Sequence, residues 1–385
     1  MRRSVTILGS TGSVGVNTLR VIREHPDAFE VRGLAAGSRA EALEEQVREF
    51  SPKGVYLKDP EAARRFTASN GRFRIFSEKE GLAAFSDAMD ADILVAATTG
   101  SAALLPVLRA LEKGRRVALA NKEILVAAGG LVMAALKRNP QASLIPVDSE
   151  HNAVFQCLEG HSSENVERLI LTGSGGPLRE VPQEKFLGIS KEAVINHPRW
   201  KMGRKISVDS ATLMNKGLEI IEASWLFGFP IDKIDVLIHP EAVIHSMIEL
   251  RDGSLLAQLG VTDMRLPIQH ALSFPARLPA SAGLRLDLAG LSQLTFFQPD
   301  RAKFPCLDLA CGAARQSGSA PCVLSAADET AVDAYLNDKI RFVEIPRIIE
   351  NVLSRHRHVA DPGLEEIQSI HDWAVEETKK LCQAR

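Results

Sequence analysis

Lys216 and Glu219 stand three residues apart in the stretch Lys205-Ile-Ser-Val-Asp-Ser-Ala-Thr-Leu-Met-Asn-Lys-Gly-Leu-Glu219. On a helix that spacing puts an ammonium and a carboxylate on one face, about 4.5 Å apart along the axis. Asp209-Ser210 reads as an N-cap pair ahead of apolar residues at helical spacing: Leu213, Leu218 and Ile221. A helix N-terminus that carries a serine suits an anion. Ser210, Asn215 and Lys216 are therefore expected to hold a phosphate, which leaves Glu219 for a cation. Gly217 lowers helix propensity by about 1 kcal/mol relative to alanine, and close approach of a ligand would explain its presence. The plainer alternative is a capped helix with one surface ion pair.

A second acidic group lies in Pro146-Val-Asp148-Ser-Glu150-His-Asn152. If the chain is extended there, Asp148 and Glu150 point to one side. Two such carboxylates repel unless a cation or a proton lies between them. Together with Glu219 they make three hard oxygen ligands, which suits Mg²⁺ or Mn²⁺. The alternative is a capping pair for a helix from Ala153, with His151 either in the site or at the cap. Ala120-Asn121-Lys122-Glu123 follows a strand. Asn121 is placed to hold the nicotinamide or ribose side of a cofactor and Lys122 to polarise a substrate oxygen; the alternative is a helix cap with surface charges. Thr172-Gly-Ser174-Gly-Gly-Pro177 is not a nucleophile elbow, because threonine occupies the first glycine position. Ser174 can instead offer its hydroxyl and flanking N–H groups to a phosphate. In residues 197–203, Pro198 and Gly203 flank Trp200 and Met202, as in a mobile flap with an apolar lid. A loop that anchors Trp200 in the core is the alternative.

The elements that must carry these groups alternate between strand and helix up to about residue 147. Val5–Leu8, Val31–Ala36, Gly54–Leu57, Asp92–Thr98, Arg116–Ala120 and Ser143–Val147 read as strands of a parallel sheet with helices on both faces. Gly9-Ser-Thr-Gly12-Ser-Val-Gly15 links the first strand to a helix and is expected to cradle a dinucleotide pyrophosphate. The second strand ends in Ala36-Gly37-Ser38-Arg39, with no acid for a ribose 2′-hydroxyl. Ser38 and Arg39 can meet a 2′-phosphate instead, so NADPH is expected. Further strands, with a hairpin at Asp252-Gly253, are expected over residues 236–259, an apolar sheet able to pair two subunits. The histidines there do not fit a zincin motif. Residues 276–300 read as a linker, and four helices follow from Cys306.

With 385 residues, two or three domains are expected. A composition of 45% hydrophobic and 24% charged residues, with a net charge of -2, gives no bulk attraction for nucleic acid or an acidic membrane. The 5 cysteines form no C-x-x-C, which points away from a disulfide framework or a cysteine zinc site. A strand begins at Ser4, which leaves no room for a signal or transit peptide. A cytoplasmic protein is expected.

Seven segments in order resemble the 1-deoxy-D-xylulose 5-phosphate reductoisomerase family: residues 9–15, 120–123, 146–153, 171–177, 197–203, 205–219 and 237–246. The resemblance implies an NADPH domain over residues 1–147, a catalytic domain over 148–275 with a flap at 197–203, the linker, and a C-terminal helical domain over 301–385, in a homodimer. It places metal ligands on Asp148, Glu150 and Glu219, and phosphate contacts on Ser174, Ser210, Asn215 and Lys216, with His197 alongside. Ser149 and Lys122 would contact substrate, while Trp200 and Met202 would lie on the lid. Cofactor contacts would fall on Thr11, Gly12, Ser13, Val14, Gly37, Ser38, Arg39, Asn121, Glu123 and Gly203, close to Lys122. The implied activity rearranges 1-deoxy-D-xylulose 5-phosphate and reduces it to 2-C-methyl-D-erythritol 4-phosphate. Two rival classes are a metal-free NADPH dehydrogenase, which would not need the three acids, and a non-enzymatic NADPH sensor, which would not turn over.

Overall fold

Short β-rich runs such as Val5-Thr-Ile-Leu8 and Ile93-Leu-Val-Ala96 are buried along their whole length, as strands covered on both faces must be. The computed structural model describes residues 2–66, 73–196, 203–281 and 283–383. Its first elements are β1 (Arg3–Leu8), α1 (Ser13–Glu24), β2 (Phe29–Ala36), α2 (Ala40–Phe50), β3 (Gly54–Leu57), α3 (Pro60–Arg65), β4 (Arg74–Ser77), α4 (Leu82–Met89), β5 (Ile93–Ala96), α5 (Leu104–Glu112), β6 (Arg116–Leu119), α6 (Lys122–Arg138), β7 (Ser143–Pro146) and α7 (Ser149–Leu158). The strands form a parallel sheet in the order β4-β3-β2-β1-β5-β6-β7. β4 was not foreseen in the sequence, being a short edge strand with two exposed residues.

The chain then runs through β8 (Val166–Gly173), α8 (Lys191–Ile195), α9 (Arg204–Thr212), α10 (Met214–Phe227), β9 (Ile234–Ile238), β10 (Ile244–Leu250), β11 (Leu255–Leu259) and α11 (Arg265–Ser273). It finishes with α12 (Cys306–Gln316), α13 (Ala320–Leu336), α14 (Ile345–Arg355) and α15 (Leu364–Gln383). The second sheet, in the order β11-β10-β8-β9, is mixed: β8 and β9 are parallel and the other pairs antiparallel. No helix among the described residues is long and apolar enough to cross a membrane.

Two compact units result. One comprises Met1–Ile124, Leu131–Asn152 and Asp263–Arg285; the other comprises Leu125–Gly130, Ala153–Thr262 and Leu286–Arg385. These limits differ from the sequence-derived domains in two ways. First, α11 belongs with the parallel sheet. Arg3 and Arg116 both donate to the Leu272 carbonyl at 3.1 Å, so two cations cap the C-terminal end of α11. Second, the expected catalytic and C-terminal helical domains share one core, in which Leu171, Leu218, Ile221, Leu307, Ala310 and Val323 are all buried. The expected linker also has fixed contacts: Phe297 bridges to Ile238 of β9, and the Thr295 carbonyl lies 2.9 Å from His239 Nδ1.

The stretch around Lys216 is two helices rather than one. Leu213 adopts a left-handed conformation, φ 59°, which ends α9 and starts α10. Ser210 therefore lies in the last turn of α9, not at an N-cap, and Gly203 takes the N-cap position. The helix N-terminus near the expected phosphate residues is that of α10, with Asn215 and Lys216 in its first turn. Gly217 is also explained differently: a Cβ there would lie 2.4 Å from the Ala310 Cβ of α12. Helix packing, not a ligand, demands the glycine.

Candidate active site

Because all seven strands of the first sheet are parallel, the loops after β1, β2, β6 and β7 leave the same edge. The loop after β1 is built by close approach. Gly9 has φ +87°, and a Cβ at Gly9 or Gly15 would lie 2.4 Å from Ala97 O or 2.3 Å from Gly9 O. Gly12 is the N-cap of α1, so Ser13 and Val14 occupy the first turn, where N–H groups have no helical acceptor. Thr11 is buried beside them and Ser13 is exposed. Gln46 of α2, absent from the sequence expectations, donates to the Ser10 carbonyl at 3.0 Å and holds the loop from behind. Gly37, Ser38 and Arg39 are exposed after β2, and Arg39 is the N-cap of α2.

At the end of β6, Asn121 caps α6 by accepting from Ile124 N at 3.3 Å. Its amide donates to Thr98 O at 2.7 Å and Gly100 O at 2.8 Å. The side chain expected to reach a cofactor is thus engaged by the protein, which joins the loops after β5 and β6. Lys122 is 7% exposed, and its Nζ lies 2.7 Å from Asp148 Oδ2. Glu123 is half-buried in the same first turn.

The acid pair does not lie on extended chain. α7 starts at Ser149, so Asp148 precedes the helix and Glu150 lies in its first turn. The bend from β7 into α7 still brings their carboxylate oxygens within 4.8 Å of each other. Burial would raise the Asp148 pKa, but the Lys122 ammonium, His151 and hydrogen bonds from Lys122 and Glu150 outweigh it. Asp148 is therefore held well below the usual carboxylate range and stays ionised. His151 is fully buried next to this group. Ser149 Oγ donates to Glu150 Oε2 at 2.5 Å. Asn152 anchors the turn, donating to Pro146 O at 2.8 Å and to His270 Nδ1 of α11 at 3.2 Å.

The second unit gathers the expected phosphate residues. A Cβ on Gly176, φ +72°, would lie 2.3 Å from Ser210 O, and one on Gly173 would lie 2.8 Å from Lys216 Cε. The glycine loop after β8 can therefore sit directly on the end of α9 and the start of α10, with Ser174, Ser210 and Lys216 converging. Ser174 Oγ accepts from Gly176 N at 3.2 Å. Lys216 is buried and donates to the Thr172 carbonyl and to Glu219, while Asn215 also donates to Glu219. Glu219 is fully buried. The ion pair that the plainer alternative put at the surface is thus an interior one, and the residues expected to hold phosphate and cation are linked by direct hydrogen bonds. Gly203 is exposed, and Ser207 Oγ donates to its carbonyl at 3.0 Å. His197, Trp200 and Met202 lie outside the described residues. His239, set aside in the sequence, is buried with Nδ1 3.0 Å from Glu241 and has a structural role.

A parallel sheet with a glycine loop after its first strand, and a carboxylate pair at its carboxyl edge, define an α/β protein of the dinucleotide-binding class. Domains described as 1-deoxy-D-xylulose 5-phosphate reductoisomerase match residues 5–129, its C-terminal domain 144–227, and the DXP reductoisomerase C-terminal domain 259–377. The chain is 47% identical over 382 residues to the reductoisomerase of Prosthecochloris aestuarii, covering 98% of this chain and 99% of that one. It is 48% identical over 369 residues to that of Shouchella clausii, covering 96% and 97%. The solved reductoisomerase of Zymomonas mobilis in complex with NADPH superposes with a TM-score of 0.92 at 40% identity, over 100% of both chains. A reductoisomerase solved with NADPH, fosmidomycin and magnesium gives 0.91 at 38% identity, again over 100% of both. The chain belongs to the 1-deoxy-D-xylulose 5-phosphate reductoisomerase family.

Proposed function

We propose that the protein converts 1-deoxy-D-xylulose 5-phosphate to 2-C-methyl-D-erythritol 4-phosphate with NADPH and a divalent cation. The observation that carries this reading is a carboxylate pair at the edge of the parallel sheet: Asp148 held ionised by Lys122, with Glu150 within 4.8 Å. These hard oxygen donors fit Mg²⁺ or Mn²⁺. Asp148, Glu150 and the buried Glu219 would hold the ion. Bound there, it supplies Lewis acidity to the substrate's ketone and neighbouring hydroxyl oxygens. NADPH fits the glycine loop and the acid-free Gly37-Ser38-Arg39 edge, and it supplies hydride to the rearranged aldehyde.

The chain's own residues do the rest. Lys122 steadies Asp148 and is placed to share its ammonium with a substrate oxygen. Ser149 orients Glu150 and contacts substrate. Ser174, Ser210, Asn215 and Lys216 grip the phosphate, with His197 alongside, far from the reacting carbons, so binding energy at that handle positions the reacting end. Trp200 and Met202 cover the substrate and exclude water. The second unit is divided functionally into a catalytic part and a helical part. A homodimer paired through the mixed sheet is supported by its edge strand β11, where Leu255 is 55% exposed; sedimentation at a single monomer mass would dismiss it.

The deciding experiment is NADPH oxidation with 1-deoxy-D-xylulose 5-phosphate, with Mg²⁺ or Mn²⁺ and then with a chelator. Turnover is expected only with metal. Undiminished turnover in chelator would favour the metal-free dehydrogenase.

A further inference from the structure

Lys205 lies in the first turn of α9, just after the segment that carries His197, Trp200 and Met202. Its Nζ meets two carboxylates: Asp209 at 2.7 Å, one turn on, and Asp328 of α13 at 3.1 Å. Asp209 and Asp328 are 2% and 0% exposed. Desolvating two carboxylates and part of an ammonium is offset only when their geometry is good, and apolar side chains of similar volume would often be as stable. What a buried ion-pair cluster adds is a favoured position for the helix that carries it. Asp209 is the immediate neighbour of Ser210, so that position is set one residue from the phosphate hydroxyl. Cys306 of α12 closes the group: burial, and then Asp328, raise its thiol pKa well above the ordinary value, and its hydrogen bond with Thr212 opposes the rise, so it stays a neutral thiol against α9.

We infer that Lys205 and Asp328 are positioning residues, through which the C-terminal helices clamp α9 and set Ser210 against the Gly173–Gly176 loop. The inference rests on the phosphate reading of Ser210. It gives the helical region, which contributes no reacting group of its own, a part in substrate affinity.

The test uses the full-length enzyme with Asp328→Ala, Asp328→Asn, Lys205→Met and Ser210→Ala. It reads kcat, KM for both substrates, inhibition by inorganic phosphate, and Tm. Asp328→Ala should raise KM for the phosphorylated substrate and weaken phosphate inhibition about tenfold, with KM for NADPH unchanged. Asp328→Asn keeps an oxygen for Lys205 and should recover most of the affinity. Lys205→Met, which leaves two carboxylates facing each other, should behave like Asp328→Ala or worse. The clamp is overturned if Asp328→Ala binds substrate like the parent while Ser210→Ala does not. It is equally overturned if both KM values rise in step with a fall in Tm, since that is plain destabilisation. If Ser210→Ala leaves substrate KM and phosphate inhibition unchanged, the phosphate reading itself has failed.

Discussion

Glu219 and Lys216 are hydrogen-bonded to each other, and this changes what each substitution should do. Glu219→Gln keeps the shape and removes a charge, so Mn²⁺ should bind more weakly and kcat should fall at least about tenfold. Titration calorimetry and steady-state kinetics check it; parent-like binding and turnover would reduce α10 to a scaffold. Lys216→Ala should raise KM for the phosphorylated substrate. It also removes the cation that competes for Glu219, so metal affinity of the substrate-free enzyme should increase rather than fall. At the cofactor edge, Arg39→Asp should lower the preference for NADPH over NADH by about tenfold, the worth of one charge-assisted hydrogen bond. Equal efficiency of the parent with both cofactors would refute that assignment.

At the scale of the element, α10 must lie where Gly217 meets Ala310 of α12. Gly217→Ala gains up to about 1 kcal/mol of helix propensity. The added methyl has no room, and overpacking of this kind costs roughly 1–3 kcal/mol. A net fall in Tm is therefore expected, and Ala310→Gly in the same chain should restore it. A stabilised single variant would mean that the helices are not pressed together there. The contact bears on the proposed phosphate and cation residues because α10 carries Asn215, Lys216 and Glu219 in its first two turns.

At the scale of the molecule, His270 couples folding to pH. Burial first, then Arg277 and Arg116, lower its pKa from 6.5 to about 4. Asn152 donates to Nδ1, which fixes the neutral ring as an acceptor. The unfolded chain takes up a proton below about pH 6.5 while the folded one does not. This contribution is therefore complete above pH 6.5 and is lost as pH falls toward 4, by roughly 2 kcal/mol after allowing for solvent screening. Denaturant unfolding at several pH values should show it, and His270→Gln should flatten the slope across that window. An unchanged slope would place the pH dependence elsewhere.

Patterns written within one element were legible in the sequence. Buried runs made strands, the glycine spacing after β1 made a cofactor-type loop, and Asp148 and Glu150 stay close despite a wrong local geometry because only one residue separates them. The helices after Cys306 followed from periodicity alone. What the sequence did not carry was decided by contacts between distant residues. Lys216 reaches Thr172 from 44 positions away, and Asn152 reaches His270 across 118. The break at Leu213 costs a left-handed residue that no local signal announces; buried on both sides of that break, the chain is held by packing rather than by propensity. Segment Asp263–Arg285 packs with the parallel-sheet unit, where two arginines cap its helix and His25 and Glu24 of the first unit meet Gln269 and Arg265, contacts invisible to any short window. Local periodicity therefore determined which elements form. Long-range packing and desolvated hydrogen bonds, which depend on three-dimensional neighbours, determined how the residues on them are aimed.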